Sequence, residues 1–195
     1  PMSNLDLQAQ LRKKLAEIEQ RSKGGERRPS FKFWKPKEGR NVIRILPPKG
    51  ENSIYSEARV HFGVGPNKRM VVCPQTIGQP CPVCEQVNKL WQMGGEENER
   101  MARSLRATER YYYNVIDRTL QEGDEGYNEV MVFSSGVTIF QAIATMIVDP
   151  DFGDVTDPEA GFNLIINRQK GEGRSVSYTV SAQPKQTPLG LDNWE

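Results

Sequence analysis

The run Asn41-Val42-Ile43-Arg44-Ile45-Leu46, closed by Pro47-Pro48, reads as a β-strand. It is rich in β-branched residues and ends on two residues that cannot donate to a ladder. Working outward, Ser30-Phe31-Lys32-Phe33-Trp34 is a second strand, set off by the turn-forming residues from Pro36 to Gly39. Downstream, Ala58–Val64 and Arg69–Cys73 form a hairpin around Gly65-Pro66-Asn67. Further strands are expected over Tyr111–Arg118, Asn128–Phe133, Phe162–Arg168 and Ser175–Ser181, the last two joined by a Gly-rich turn at Gly171–Gly173. Helical spacing appears in Cys84–Met93, where Val87, Leu90 and Trp91 share a face, and in Val137–Val148, where Phe140, Ile143, Ala144 and Ile147 do. Trp91 and Phe140 fit core faces of these helices. Between them, Glu96–Arg106 carries its acids first and its bases last, which suits a helix dipole. At the start, Leu7, Leu11, Leu15 and Ile18 mark a helix over residues 4–21, with Asn4 as N-cap and Gly24-Gly25 as its end.

The chain is therefore expected to be mainly β with inserted helices, an α+β protein. Five or six short strands with an inserted helix point to a small, partly open barrel of the OB type. Three segments follow: a basic helix and linker over 1–29, the barrel over 30–183 with a metal-binding insertion at about 61–107, and an extended tail over 184–195.

Composition narrows the function. Among 195 residues, 26 Lys and Arg face 25 Asp and Glu with one His, a formal net charge of +1. No stretch approaches the ~18 consecutive apolar residues of a membrane span, and no apolar leader region stands at the start. A membrane or secreted, disulfide-stapled protein is not expected. Charge is unevenly spread: the first forty residues hold eleven bases and five acids, whereas Asp149–Glu159 holds five acids and no base. That acidic stretch reads as a solvated loop, or else as a cation site or a patch that keeps nucleic acid to one side of the barrel. Pro1 precedes Met2, which reads as a remnant of tag removal, so the natural protein is expected to extend further.

The strongest chemical signal is His61, Cys73, Cys81 and Cys84. All three cysteines and the only histidine fall within 24 consecutive residues, spaced His-x11-Cys-x7-Cys-x2-Cys. A Cys-x2-Cys knuckle before a helix lets two thiolates grip one ion, and three Cys with one His complete the tetrahedral shell typical of one structural Zn²⁺. Buried small hydrophobes or a disulfide are the bland alternatives, but three cysteines cannot all pair. A zinc deaminase needs His-x-Glu and an open fourth position. Here Gly63 stands two residues after His61, and Cys73 closes the shell. No enzymatic activity is expected.

Tyr111-Tyr112-Tyr113 is the second signal. On a strand Tyr111 and Tyr113 share one face and Tyr112 takes the other. Arg103, Arg106 and Arg110 precede the run and Arg118 follows it, while Lys32 and Lys35 interleave with Phe31, Phe33 and Trp34. Aromatic faces within a positive groove bind single strands with little sequence preference. The competing reading is that some of the tyrosines line the core.

These residues carry a resemblance. Asn41–Pro47, His61, Cys73, Pro80-Cys81-Pro82-Val83-Cys84, Tyr111-Tyr112-Tyr113-Asn114 and Asp154–Gly161 are similar, in the same order, to the T4-type bacteriophage single-stranded DNA-binding (helix-destabilising) proteins. The likeness covers about residues 30–183. It implies an OB-fold with a zinc-bearing subdomain beside a DNA cleft, in a protein of the infected bacterial host's cytoplasm. It also implies coating of single-stranded DNA in replication, recombination and repair, self-association along DNA, and replication and recombination proteins as partners. Tyr111 and Tyr178 match cleft aromatics of that family, and Tyr112 matches a further aromatic position. The family's basic motif at the extreme N-terminus and its acidic C-terminal tail have no counterpart here; bases cluster instead at Arg12-Lys13-Lys14 and from Arg21 to Arg28. Two other classes remain open at this stage: a zinc-stabilised protein–protein adaptor with tyrosine anchors, and a single-stranded RNA-binding protein.

Overall fold

Eight strands organise the described residues, which are 31–173 and 175–191 of a computed structural model, one overlapping each of the eight segments read as strands, where a barrel of five or six was expected. They are β1 (Phe33–Trp34), β2 (Gly39–Ile45), β3 (Ser56–Val64), β4 (Arg69–Val72), β5 (Thr108–Asp117), β6 (Met131–Ser135), β7 (Phe162–Lys170) and β8 (Val176–Gln186). Three α-helices accompany them: α1 (Pro82–Met93), α2 (Glu96–Leu105) and α3 (Val137–Val148), with a 3-10 turn at Pro74–Ile77. The N-terminal helix expected over 4–21 and the basic clusters around it lie outside the described residues.

One mixed sheet runs β1-β6-β5-β2-β7-β8, and the β3–β4 hairpin joins it through β3 and β5. Every pairing is antiparallel except β1 with β6. Alternation builds the core: Ile43 and Ile45 from β2, Tyr111, Tyr113 and Val115 from β5, and Leu164 and Ile166 from β7 point to one face. Ile139 and Ile143, one turn apart on α3, cover that face, with Trp34 and Phe133 in edge-to-face contact at 5.0 Å.

The opposite face of β2 and β5 is also buried. Leu46 and Ile116 pack with Leu189, and Arg44, fully buried, donates to Asp157 O at 2.7 Å and Thr187 O at 3.0 Å. The acidic stretch, read as a loop or a cation site, is thus in part a wrapping around the protein's own arginine. The residues past Pro184 differ from the extended tail expected there. β8 continues to Gln186, and Leu189 N–H donates to Pro158 O at 2.7 Å. Proline is tolerated because β8 ends the sheet path and its register shifts between Phe162 and Leu164.

α1 and α2 form a separate antechamber with a small core of Val87, Leu90 and Ala102, against which Leu105 packs. Trp91, expected on a core face, is instead 42% exposed, under the guanidinium of Arg103.

Candidate metal centre and nucleic-acid interface

His61 leaves β3 beside the start of α1, Cys73 follows β4, and Cys81 and Cys84 bracket the first turn of α1. Their ligating atoms all lie within 4.8 Å of one another, and three of the four residues are buried. His61 Nε2 is 3.3 Å from Cys81 Sγ and 3.6 Å from Cys84 Sγ, and Cys73 Sγ is 3.7 Å from Cys84 Sγ. Ligands held at ~2.0–2.3 Å around a tetrahedral ion stand about 3.5–3.8 Å apart. The group can hold one metal ion.

The surroundings agree with that use. His61 Nδ1 is 2.6 Å from Leu105 O, so the ring donates there and presents its bare Nε2 to the sulfurs. Cys81 is the N-cap of α1, and Cys84 N–H donates to its sulfur at 3.5 Å. Burial opposes ionisation of Cys81. The Cys84 N–H and the side chains of Cys73, His61 and Cys84 outweigh it and bring the thiol down to about 7. Burial first, then the neighbouring sulfurs, push Cys84 up to about 12. The set favours the Cys81 thiolate and resists that of Cys84, and a cation among the sulfurs would favour their ionised form.

Next to this module lies a cleft of about 700 Å³. β1 contributes Phe33 and Trp34, followed by Lys35; β3 and β4 contribute Phe62 and Met70; Arg110, Ser134, Arg168 and Tyr178 come from β5, β6, β7 and β8. Among the described residues, three cations line it and no carboxylate does. Phe33 and Phe62 are 52% and 42% exposed, so their rings are open to a ligand. Arg110 is fixed by Ser134, with Nε donating to Oγ at 3.1 Å and Nη2 to the carbonyl at 2.5 Å. Burial lowers its pKa, while Tyr112 and Tyr178 oppose the shift, and a guanidinium so placed stays charged at neutral pH. Tyr178 stands opposite Arg168 in the β7–β8 register. Tyr112, two residues from Arg110 and opposite Ser134, shares the Arg110 face of β5 and is half-buried.

Of the residues singled out by sequence, the cleft thus gathers Lys35, Arg110 and Tyr178, with Tyr112 beside it. Tyr111 and Tyr113 go elsewhere. Tyr111 is 6% exposed and its ring lies parallel to Phe140, centroids 3.8 Å apart, so the face meant for a base is taken by α3. Tyr113 is 2% exposed, and burial raises its hydroxyl to about 12. The bases outside the cleft have local work. Lys32 pairs with Glu129 at 2.8 Å and Arg103 with Glu99 at 2.8 Å. Arg118 donates to Asn128 Oδ1 at 3.0 Å and to Leu189 O, tying down the C-terminal segment. Arg106 lines a different hollow beside the metal cluster.

Phe62, Met70 and Arg168 were not singled out by sequence. For Phe62 a signal exists: if His61 turns inward to a metal, its neighbour on the strand turns out. Arg168 reaches the cleft through the pairing of β7 with β2 and β8, which local pattern does not reveal.

The sequence model of the family described as gp32 DNA binding protein like matches residues 37–193, from before β2 to beyond β8. A search of curated proteins has no match.

Proposed function

The chain belongs to the gp32-like DNA-binding family, and on that premise we propose that it coats single-stranded DNA without sequence preference and catalyses no reaction. The observation that carries this reading is the cleft where Phe33, Phe62 and Tyr178 share one surface with Lys35, Arg110 and Arg168, with no acid among its described lining residues. Unstacked bases lie on the rings, each stack contributing about 1–3 kcal/mol. The cations neutralise the phosphates between them and release counterions. Duplex is excluded because its bases are already stacked and paired. Melting follows by mass action, since binding withdraws single strands from the equilibrium.

We read the largely antiparallel sheet, covered by α3, as a partly open barrel of the OB type, with the metal module as its insertion. Three thiolates and one imidazole at tetrahedral spacing favour Zn²⁺. Four protein ligands leave no position for water, so its role is structural. The likeness to the T4-type phage helix-destabilising proteins supports a place in phage replication, recombination and repair within the infected host, alongside self-association and replication and recombination proteins.

Titration with oligo-dT, following intrinsic fluorescence, tests the reading. Quenching that saturates, with weaker binding to a duplex of the same length, is expected. Absence of quenching, or equal affinity for duplex, overturns it.

A further inference from the structure

A second cationic hollow lies on the metal module, away from the cleft. It measures about 310 Å³ and is lined by Arg59, Gln75, Cys84, Val87, Asn88 and Arg106, with Ala107 at its edge. Alternation along β3 puts Arg59 on the side of His61 and Phe62 on the other, so the hollow and the cleft lie on opposite sides of this strand. Arg59 is held in place: its N–H donates to Thr76 Oγ1 at 3.0 Å, its carbonyl accepts from Cys73 N at 2.7 Å, and its Nη1 donates to Gln75 Oε1 at 2.9 Å. Arg106 caps α2, its N–H donating to Ala102 O at 3.0 Å. Neither arginine forms an ion pair among the described residues. Glu109, opposite Arg59 across β3 and β5, accepts instead from the Tyr111 hydroxyl at 3.4 Å. Arg59, Arg106 and Asn88 thus line one concave surface, with no carboxylate among its described lining residues, and two arginines with an amide are a donor set that suits a phosphodiester.

The same surface continues to an aromatic. Cys84, Asn88 and Trp91 stand at i, i+4 and i+7 on α1, one stripe of the helix. Arg103, three residues before Arg106 on α2, has its guanidinium 5.6 Å from the centre of the half-exposed Trp91 ring. Phosphate donors and a flat ring follow one another along this edge of the module.

We propose that the Arg59–Arg106 hollow is a second phosphate-binding subsite for single-stranded DNA, with Trp91 as its base platform, engaged only by strands longer than the cleft can hold. The proposal rests on the single-strand reading above. It gives the metal a further consequence: the ion holds together the segments that carry Gln75, Asn88 and Trp91.

The test compares salt-dependent binding of oligo-dT of ~4 and ~16 nucleotides, the span of site sizes for one OB fold, by the metal-loaded protein and its Arg59→Gln, Arg106→Gln and double variants. For the longer strand, the slope of log K against log salt is expected to shrink by about 0.7 for each arginine removed. The short strand is expected to bind all forms alike, and Trp91→Ala to weaken binding of the long strand only. Unchanged slopes with the long strand overturn the proposal and leave the cleft reading intact. A fall in metal content in step with the lost affinity also overturns it, because the arginines then serve the metal centre. Failure of the unaltered protein to bind either length overturns the cleft reading itself.

Discussion

Gly161 has no room for a side chain. A Cβ there would lie 2.5 Å from both Arg44 Nη2 and Asp157 O, and 2.7 Å from Val155 O. The crowding follows from Arg44, a charge buried on β2 whose pKa is lowered by desolvation and by Arg118 and only partly restored by Asp157 and Asp154. An arginine in that position is stable only while carbonyls surround its guanidinium, so the loop must press close and only glycine fits. Gly161→Ala is expected to cost about 1–3 kcal/mol, read as a lower denaturant midpoint; an unchanged midpoint would show that the loop gives way freely. The tyrosines make a second contrast at this scale. Tyr178→Ala removes a cleft ring whose other side packs against the core; it is expected to weaken oligo-dT binding by about 1–3 kcal/mol and to lower stability less than the loss of a fully buried ring. Tyr111→Ala removes a buried ring stacked on Phe140 and is expected to cost about 3–5 kcal/mol of stability. If Tyr111→Ala left stability intact and abolished binding, its ring would belong to the DNA surface after all.

At the scale of elements, α1 and α2 share a core of three buried residues, Val87, Leu90 and Ala102, too little to order two helices and a 3-10 turn alone. A metal held by His61, Cys73, Cys81 and Cys84 would supply the missing cohesion, since binding to ligands from β3, the β4 end and α1 is itself folding free energy. Chelation is therefore expected to raise amide exchange across residues 73–105 while β2, β5 and β7 stay protected; equal exchange with and without metal, at verified removal, would refute this. The ligand set was legible because chemistry constrains it through spacing: His-x11-Cys-x7-Cys-x2-Cys has few other uses. Helix α3 was legible too, its bounds fixed by Gly136 and Asp149-Pro150. What escaped reading was what depends on distant partners. Pro184 looked like the end of order, yet an edge strand tolerates it. Trp91 looked like core, yet the stripe that packs is Val87 and Leu90, and Trp91 lies one position round the helix. The tyrosine run showed its alternation clearly, but not which side α3 would cover.

For the whole molecule, a net charge of +1 says little about a polyanion, because what a strand meets is local. Among the described residues of the cleft it meets Lys35, Arg110 and Arg168 and no acid, while the acidic stretch is drawn towards Arg44 on the other face of β2. With a Debye length of about 8 Å at physiological salt, charges farther off are largely screened. Three phosphates neutralised in the cleft predict a slope of log K against log salt of about −2 for a short strand. The slope is also what separates the two readings of these rings. Tyrosine and phenylalanine anchors in a protein–protein interface bury apolar area and depend weakly on salt, whereas a phosphate-gripping cleft loses affinity steadily as salt rises. Measured between 50 and 500 mM salt (a range of about one log unit, chosen to resolve a slope of this size), a value near −2 supports the DNA cleft. A value near zero would assign Phe33, Phe62 and Tyr178 to a protein partner, and the basic residues beside them to solubility alone.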